Sequence, residues 1–248
     1  MNKNKYTLII QARLDSKRFS KKILKKINKK EILTIMLKRL KKNFKNKIIV
    51  ATAGNNHKRI IDICKKQKVK FFIGSENNVL KRYYKCAQKN HIKTIVRIPS
   101  DCPLIDPYII KRALKIFFSN KVDYVSNLLP RSHIDGNDVE VFSIECLKKI
   151  YNQTTSKFDK EHVTTYLQKR KNRKIFKIMN FKANKDLSLK YRLTLDYKED
   201  LIVIKKILNN KNIFLSYKSI ENIFEKNPNI SKINNKFIGK MWYQKKNL

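Results

Sequence analysis

The fold is decided by residues 94–107, TIVRIPSDCPLIDP. Its first five residues, TIVRI, are mostly apolar and β-branched, which is typical of a strand buried in a sheet. The loop that follows ends at Asp106, a candidate helix N-cap, and Pro107 then takes the first helical position. A buried strand that leads through a short loop into a helix is half of a βαβ unit. This stretch therefore predicts an α/β fold.

The same alternation of strand and helix continues on both sides of this stretch. The pattern predicts strands at residues 6–10, 47–52, 69–73 and 122–126, and helices at residues 31–43, 56–67, 78–90 and 107–118. Because the connections are short, we predict a three-layer αβα arrangement with a mostly parallel sheet. Ligands bind at the carboxyl ends of the strands in such folds, so the loops after strands 6–10 and 94–98 are the candidate site loops.

The second half of the chain does not continue this regular alternation of strands and helices. It predicts strands at residues 137–143, 175–181 and 189–195, and helices at residues 144–151, 161–170, 201–208 and 219–225. The sequence has no internal repeat and no linker long enough to divide it, so we predict a single domain over residues 1–248. The polar tail after Asn227 carries four residues that could dock it, Phe237, Met241, Trp242 and Tyr243.

Residues 128–185 are a candidate subregion for dimerisation. Exposed apolar patches commonly mark partner contacts. We therefore expect a homodimer whose contact uses apolar side chains in these otherwise polar surroundings, namely Leu128, Leu129, Val163, Tyr166 and Leu167.

The composition argues against a protein that binds specific nucleic-acid sequences. The 59 basic residues against 19 acidic ones give a net charge of +40, but only eleven of them are arginine and 48 are lysine. The lysines are spread over almost every predicted helix alongside many Asn and Ile residues, a pattern that A/T-rich codons produce. Specific nucleic-acid binders concentrate Arg and aromatic residues on one face, so we expect only weak, salt-sensitive binding to polyanions.

The sequence also bears on location and metal content. No run is long and apolar enough to cross a bilayer, and the short run at residues 8–10 does not form a signal peptide. None of the four cysteines belongs to a CxxC pair, so neither a zinc site nor a redox motif is indicated. These features predict a cytoplasmic protein that is not bound to a membrane.

The loop after the first strand, residues 11–22 (QARLDSKRFSKK), carries several cations. Arg13, Arg18 and Lys22 suit a triphosphate, since Arg offers a planar fork of donors and Lys a point charge. The loop lacks the glycines of a P-loop or a dinucleotide-binding turn. A solvated basic loop is the alternative.

Two acidic residues follow predicted strands in this acid-poor chain. Asp101 lies just past the strand at residues 94–98, and Mg²⁺ prefers one or two carboxylates together with phosphate oxygens. We therefore predict Asp101 as a metal ligand. Asp196 lies between a predicted strand and a helix, and is either a ligand or an N-cap. Asp200, on that helix, is expected at the surface or complementing the helix dipole.

Together these segments resemble the CMP-sugar synthetase type of cytidylyltransferase, most closely its spore-coat polysaccharide biosynthesis branch. The matching segments run in order from residue 9 to residue 201: IIQARLDSKRFSKKIL, KIIVAT, SENNVLKRYY, RIPSDCPLIDP, DYVSNLLPRSHIDGNDVEVF, EHVT and LTLDYKEDL. The resemblance implies a glycosyltransferase-A-like nucleotidyltransferase fold with a small dimerisation arm. It also implies Mg²⁺-dependent transfer of CMP from CTP to a small, acidic, sugar-like acceptor, with release of pyrophosphate, in surface polysaccharide or glycoconjugate biosynthesis.

The resemblance also implies roles for individual residues. Arg13, Lys22 and Asp101 are the expected catalytic residues, and Asp101 and Asp196 the expected metal ligands. The nucleotide is expected to contact Ala12, Arg13, Ser16, Arg18, Lys22, Arg82 and Asp101. The acceptor is expected to contact Arg131, Asp138, Glu140 and His162. His162 and Glu140 are candidate general bases, although a lone His is more often structural or substrate-positioning.

The chain departs from the family pattern at two glycines. The family usually has R-x-P-G-K in the first loop, where this chain has Arg18-Phe19-Ser20-Lys21-Lys22, and a Gly where this chain has Ser100. Glycine adopts positive φ without steric cost. We expect Lys21 to add a cation near the phosphates and to raise the salt sensitivity of CTP binding; a strained loop is the alternative. The rival functions are a glycosyltransferase on a similar fold and a non-catalytic polyanion-binding protein.

Overall fold

The computed structural model describes residues 6–16, 18–54, 57–169, 172–209 and 212–240. The predicted tail contacts of Met241, Trp242 and Tyr243 lie outside the described residues. None of the helices in these ranges combines the length and apolarity that crossing a bilayer requires.

The first half of the chain alternates strands and helices as the sequence predicts. Its strands are β1 (Tyr6–Ala12), β2 (Lys26–Ile27), β3 (Lys30–Glu31), β4 (Ile48–Thr52), β5 (Lys70–Ile73), β6 (Thr94–Pro99) and β7 (Tyr124–Ser126). Its helices are α1 (Ile32–Phe44), α2 (Lys58–Lys66), α3 (Val79–Lys89) and α4 (Pro107–Ser119). Asp106 caps α4 as predicted, since its carboxylate accepts a hydrogen bond from the Tyr108 amide at 2.7 Å.

The second half contributes β8 (Glu140–Ser143) and β9 (Ile178–Asn180). Its helices are α5 (Ile144–Gln153), α6 (Lys157–His162), α7 (Thr165–Gln168), α8 (Lys198–Ile207), α9 (Tyr217–Lys226) and α10 (Pro228–Lys232). Two predictions are wrong here. The helix at residues 161–170 is broken at Val163, whose φ is +63°, and the segment 189–195 is not a strand but makes a single bridge from Arg192 to Asp135.

The seven-stranded sheet has the order β5-β4-β1-β6-β8-β7-β9. Strands β5, β4, β1 and β6 are parallel neighbours, whereas β8 runs antiparallel to both β6 and β7. Strand β9 is parallel to β7, so β8 is the strand that opposes the other six. The predicted three-layer fold with a mostly parallel sheet is confirmed.

The core has a cluster of buried side chains on each face of the sheet. One cluster joins β1, β4 and β6 to α1 and α4, and the other joins the sheet to α3 and α5. A third cluster lies around α8 and α9 and holds Tyr191, Leu193 and Leu195. The segment 189–195 therefore alternates apolar side chains because it packs against these helices.

The apolar side chains proposed for a dimer contact are mostly in this core. Leu128, Val163 and Leu167 are 7%, 0% and 0% exposed in the single chain, and Leu129 and Tyr166 are half-buried. The expected apolar patch on residues 128–185 is therefore wrong for three of its five members. The homodimer stays a prediction that rests on the resemblance.

Candidate active site

Three loops meet at the carboxyl edge of the parallel strands. The Ser100 amide donates to the Gln11 carbonyl at 3.2 Å, which ties the loop after β6 to the end of β1. The Leu195 amide donates to the Asp101 carbonyl at 2.8 Å, which places the segment before α8 beside the same loop. These two hydrogen bonds bring residues 11–22, 99–107 and 192–196 together at the predicted edge of the sheet.

A fourth loop, residues 127–139, meets the other three where the backbone at Gly136 approaches the backbone of residues 193 and 194. Its φ is +103°, and a Cβ at this position would lie 2.6 Å from the Thr194 nitrogen. Only glycine fits without a backbone shift. The neighbouring Asp135 carbonyl accepts from the Leu193 amide at 2.6 Å, so Gly136 lets this loop lie directly against residues 193 and 194.

The four loops, with α3 and α6, enclose a cleft of about 450 Å³, within the range of small-molecule sites. Eleven of the twelve predicted site residues line it: Ala12, Arg13, Ser16, Arg18, Lys22, Arg82, Asp101, Arg131, Asp138, His162 and Asp196. The prediction did not include Gln11, Arg97, Ser100, Asp135, Glu161, Arg192, Thr194 or Lys240, which also line it.

The charged residues of the cleft differ from those of the rest of the chain. Six of the eleven arginines line it, as against two of the 48 lysines, and so do six of the nineteen acidic residues. In a chain whose composition favours lysine, an arginine marks a place where a planar fork of donors is needed. This signal was available in the sequence and points to Arg97 and Arg192, but it points equally to Arg39 and Arg59, which do not line the cleft.

The centre of the cleft is an ammonium group held between two carboxylates. Lys22 Nζ lies 2.8 Å from Asp101 Oδ2 and 2.7 Å from Asp196 Oδ1. Burial alone would raise the pKa of Asp101, but the adjacent Lys22 ammonium outweighs burial and the pKa is lowered. Burial likewise disfavours the Lys22 ammonium, yet the carboxylates of Asp101 and Asp196 raise its pKa, so the ammonium stays charged near neutral pH.

The structure excludes the N-cap interpretation of Asp196. Asp200, not Asp196, caps helix α8, because its carboxylate accepts from the amides of Asp196 and Tyr197 at 2.8 and 2.9 Å. The Asp196 carboxylate is thereby free to face the cleft, where Arg18 also contacts it at 2.8 Å. Asp200 is 0% exposed, so the surface alternative for it is wrong, whereas its place in the first turn of α8 agrees with the alternative that it complements the helix dipole.

Arg192 organises the acidic side of the site. It is 4% exposed and contacts Asp135 at 2.6 Å, Asp200 at 3.0 Å and Asp196 at 3.3 Å. Burial would lower the pKa of Arg192, but these carboxylates raise it, so the guanidinium stays charged. Sequence reasoning missed this residue because its partners lie on two separate segments, and the site depends on it for the position of Asp196.

The far side of the cleft is built from two arginine–carboxylate pairs. Arg131 forms a two-pronged contact with Asp138, at 2.6 and 2.9 Å. Arg97 pairs with Glu140, whose carboxylate also accepts from the Tyr124 and Thr164 hydroxyls. Glu140 is 1% exposed and does not line the cleft, so the structure places it behind Arg97 instead of in contact with an acceptor.

His162 lies at the mouth of the cleft, at the end of α6. Burial lowers its pKa to about 4, with Arg97 and Arg13 acting in the same direction and Glu161 opposing them, so its imidazole is neutral at physiological pH. The next residue, Val163, has a φ of +63°, which is unusual for a β-branched side chain. The Glu161 carboxylate contacts exposed Arg13 at 3.5 Å.

The strand side of the cleft presents polar atoms whose partners are missing. Within the described ranges, Gln11 Oε1, Arg82 Nε and Arg97 Nε are buried without a hydrogen-bond partner. Arg82 is 1% exposed and donates to the Ser75 carbonyl at 3.2 Å through its Nη1. Buried polar atoms are rarely left unpaired in proteins, so these three are candidate contacts for a ligand.

The donor set also fits a magnesium ion. Among the described residues, no group of three or more acidic, His or Cys side chains is arranged to hold a metal unaided. However, the carboxylates of Asp101 and Asp196 converge on one cation, the Lys22 ammonium. Mg²⁺ in nucleotide enzymes commonly takes one or two carboxylates and completes its coordination with phosphates and water.

The altered first loop adopts the backbone conformation for which glycine is suited. Lys21 has φ +53° and ψ +28°, in the left-handed region, and its side chain is exposed and does not line the cleft. The geometry therefore favours the strained-loop alternative over the expected additional cation near the phosphates.

We expect Lys21→Gly to raise the free energy of unfolding by about 0.5–1 kcal/mol. The left-handed conformation costs a non-glycine residue about 1–2 kcal/mol, and the greater freedom of glycine in the unfolded chain offsets part of the gain. Denaturant unfolding measures the difference. Lys68→Gly, at φ +50° away from the cleft, is the matched control and should stabilise the protein similarly. Weaker nucleotide binding by Lys21→Gly alone, with a shallower salt dependence, would restore the charge explanation.

Comparisons with known proteins agree on one family. A family model described as cytidylyltransferase matches residues 7–227. The chain is 34% identical over 230 residues to an uncharacterized protein of Methanocaldococcus jannaschii, covering 91% of this chain and 93% of that one. It is 28% identical over 211 residues to the spore coat polysaccharide biosynthesis protein SpsF of Bacillus subtilis, covering 82% and 86%.

Solved structures give the same result. A cytidylyltransferase from Leptospira borgpetersenii superposes with a TM-score of 0.87 at 32% identity, covering 92% of this chain and 96% of that one. A CMP:2-keto-3-deoxy-manno-octonic acid synthetase, solved with CTP, superposes with a TM-score of 0.61 at 13% identity, covering 84% and 100%. The second likeness is one of fold.

Proposed function

The chain belongs to the cytidylyltransferase family, and we propose that it transfers CMP from CTP to a hydroxyl group of a small, acidic, sugar-like acceptor. The observation that carries this proposal is the pair of carboxylates, Asp101 and Asp196, that meet Lys22 and Arg18 in one cleft. The likeness to SpsF supports a role in surface polysaccharide or glycoconjugate biosynthesis. We place the reaction in the cytoplasm, where CTP is made, and expect a homodimer.

The proposed reaction forms one bond and breaks one bond. The acceptor oxygen attacks the α-phosphorus of CTP, and the bond from that phosphorus to the oxygen that bridges to the β-phosphate breaks. Pyrophosphate leaves with the electron pair of the broken bond. The proton of the acceptor hydroxyl passes to a base, for which neutral His162 at the mouth of the cleft is the candidate.

Different residues of the cleft would bind the phosphates, hold the metal ion and position the acceptor. Arg13, Arg18 and Lys22 would bind the β- and γ-phosphates and stabilise the charge that develops on pyrophosphate as it leaves. Asp101 and Asp196 would hold Mg²⁺, which when bound neutralises phosphate oxygens and makes the α-phosphorus more electrophilic. Arg131 and Asp138, on the other side of the cleft, would position the acceptor, with Arg97 held by Glu140 behind them.

We expect CTP to stabilise the protein more than ATP, GTP or UTP does. The reason is the family assignment together with unpaired polar atoms of Gln11 and Arg82 in the cleft, which can hydrogen-bond a base edge. A melting-temperature series with the four nucleotides and Mg²⁺ checks it, at a salt concentration high enough to suppress non-specific binding to this basic chain. Equal stabilisation by all four nucleotides would contradict the preference.

Pyrophosphate release tests the proposed reaction against its rivals. Release that requires both CTP and an acidic sugar would support the proposal. A glycosyltransferase would consume a ready-made nucleotide sugar without releasing pyrophosphate. A polyanion-binding protein would release none and would bind DNA of several sequences with one steep salt dependence.

A further inference from the structure

Lys22 has two sets of partners that it cannot satisfy together. In the structure Lys22 is 8% exposed, and its ammonium makes two ion pairs, with Asp101 at 2.8 Å and Asp196 at 2.7 Å. In the proposed reaction the same ammonium binds phosphate oxygens, and the same two carboxylates bind a divalent cation. An ammonium and a divalent cation cannot occupy the same position between these two carboxylates, so one must replace the other.

The carboxylate of Asp196 is fully engaged in the structure. Its Oδ1 accepts from Lys22 and forms an ion pair with Arg18 at 2.8 Å, and its Oδ2 contacts Arg192 at 3.3 Å. The Oδ2 of Asp101 is likewise occupied by Lys22, and among the described residues its Oδ1 is contacted by the Cys102 thiol, at 3.9 Å. A divalent cation that binds between Asp101 Oδ2 and Asp196 Oδ1 must therefore displace the ammonium that already lies there.

We propose that Lys22 is an exchangeable internal cation, which occupies the two-carboxylate site until a triphosphate and a divalent metal ion arrive together. The triphosphate offers the ammonium a new anionic partner, and the metal ion then takes the carboxylates. This inference rests on the proposed function for the identity of the two ligands, but not for the competition itself.

The exchange couples the two ligands energetically. Without triphosphate, a metal ion must displace Lys22 into a position with no comparable partner, so its affinity is low. With triphosphate, this cost is removed and metal affinity rises. Linkage requires the metal ion to raise triphosphate affinity by the same factor.

The decisive experiment measures Mn²⁺ binding to the nucleotide-free protein, with the free ion quantified by electron paramagnetic resonance. We expect Lys22→Gln to bind Mn²⁺ at least about tenfold more tightly than the wild type, because the competing ammonium is gone. Lys21→Gln removes the same charge from the adjacent residue, which does not line the cleft, and should bind within about twofold of the wild type. Lys22→Arg keeps the charge and should also bind weakly. Equal Mn²⁺ affinity in Lys22→Gln and wild type would overturn the proposal.

A double variant tests whether the gained Mn²⁺ affinity belongs to this site. Adding Asp101→Asn to Lys22→Gln should abolish the gain in Mn²⁺ affinity. A gain that persists would place the Mn²⁺ site elsewhere and overturn the proposal.

A second control concerns folding. Lys22→Gln leaves two carboxylates without their shared cation, so its folding must be checked by circular dichroism. Lys22→Met keeps the apolar stem and serves as the second variant. In both variants Mn²⁺ should raise the melting temperature by several degrees, with little change in the wild type.

Failure of this inference can be told from failure of the proposed function. If Lys22→Gln gains no Mn²⁺ affinity, Lys22 is not an exchanging cation, whatever the wild type does with CTP. If the gain is present but pyrophosphate release does not depend on CTP, the exchange stands and the proposed substrate is wrong.

Discussion

Asp101→Asn is expected to lower the rate of pyrophosphate release by about a thousandfold or more, without unfolding the protein. The substitution removes the charge of one of the two carboxylates that meet at the cation position, and losses of this order follow the removal of a single group that stabilises developing charge. Asparagine has nearly the same shape. The side chain is 27% exposed, so the change leaves no cavity, and the buried Lys22 ammonium keeps its ion pair with Asp196 at 2.7 Å.

The measurement is turnover at limiting Mg²⁺, together with a melting temperature for each variant. Asp62→Asn is the matched control, because Asp62 is exposed on α2 and does not line the cleft, so its variant should keep wild-type turnover. Asp196→Asn should lose turnover to a similar degree but should also lose stability, since Arg18, Lys22 and Arg192 all contact that carboxylate. If Asp101→Asn keeps near wild-type turnover at limiting Mg²⁺, Asp101 is not a metal ligand.

The position of Asp101 was predictable because the signals that place it are local. A β-branched run, a polar loop and a capped helix follow one another within residues 94–107. Ligands bind at the carboxyl ends of parallel strands, so the end of this strand locates the site.

The break in the predicted helix at residues 161–170 was not predictable from the local pattern. Val163 is 0% exposed and packs in the core beside α3 and α5, and this tertiary packing overrides the helical pattern.

The missed parts of the site depend on contacts between distant segments. The alternation at residues 189–195 predicts a strand, yet the backbone of this segment bonds to Asp101 and Asp135 in turn, while Leu193 and Leu195 pack towards α8. No local pattern shows that one stretch bonds to two different loops. The resemblance assigns Glu140 to the acceptor. Its carboxylate instead lies buried behind the cleft, where Arg97, Tyr124 and Thr164 bind it.

Arg192→Leu is expected to lower the free energy of unfolding by about 3–5 kcal/mol, a typical cost of removing one partner from a buried ionic network. The guanidinium touches Asp135, Asp196 and Asp200, which are 5%, 6% and 0% exposed. Without it, Asp135 keeps Arg131 and Asp196 keeps Lys22 and Arg18, but among the described residues Asp200 keeps no ion pair. Asp200 keeps hydrogen bonds from the Asn234 amide and two backbone amides, which hold its position but carry no full charge.

Denaturant unfolding at neutral pH measures this loss. Arg59→Leu, at an exposed position on α2, is the matched control and should change the free energy by less than about 0.5 kcal/mol. Arg192→Lys keeps the charge but offers a point donor instead of a fork, so it should recover only part of the loss. A loss in Arg192→Leu no larger than in the control would show that the carboxylates find other partners.

The pH dependence separates lost charge from lost packing. Burial already raises the pKa of Asp135, with Asp138 acting in the same direction, while Arg131 and Arg192 oppose the rise. Removing Arg192 must raise that pKa further, so the folded variant binds protons more tightly than the unfolded chain does. Such a group favours the folded state at pH values below its unfolded pKa of about 3.9, and this contribution is lost as the pH rises through the folded pKa. The deficit of Arg192→Leu should therefore be largest near pH 7 and should shrink towards pH 4, whereas a deficit from lost packing would be the same at both.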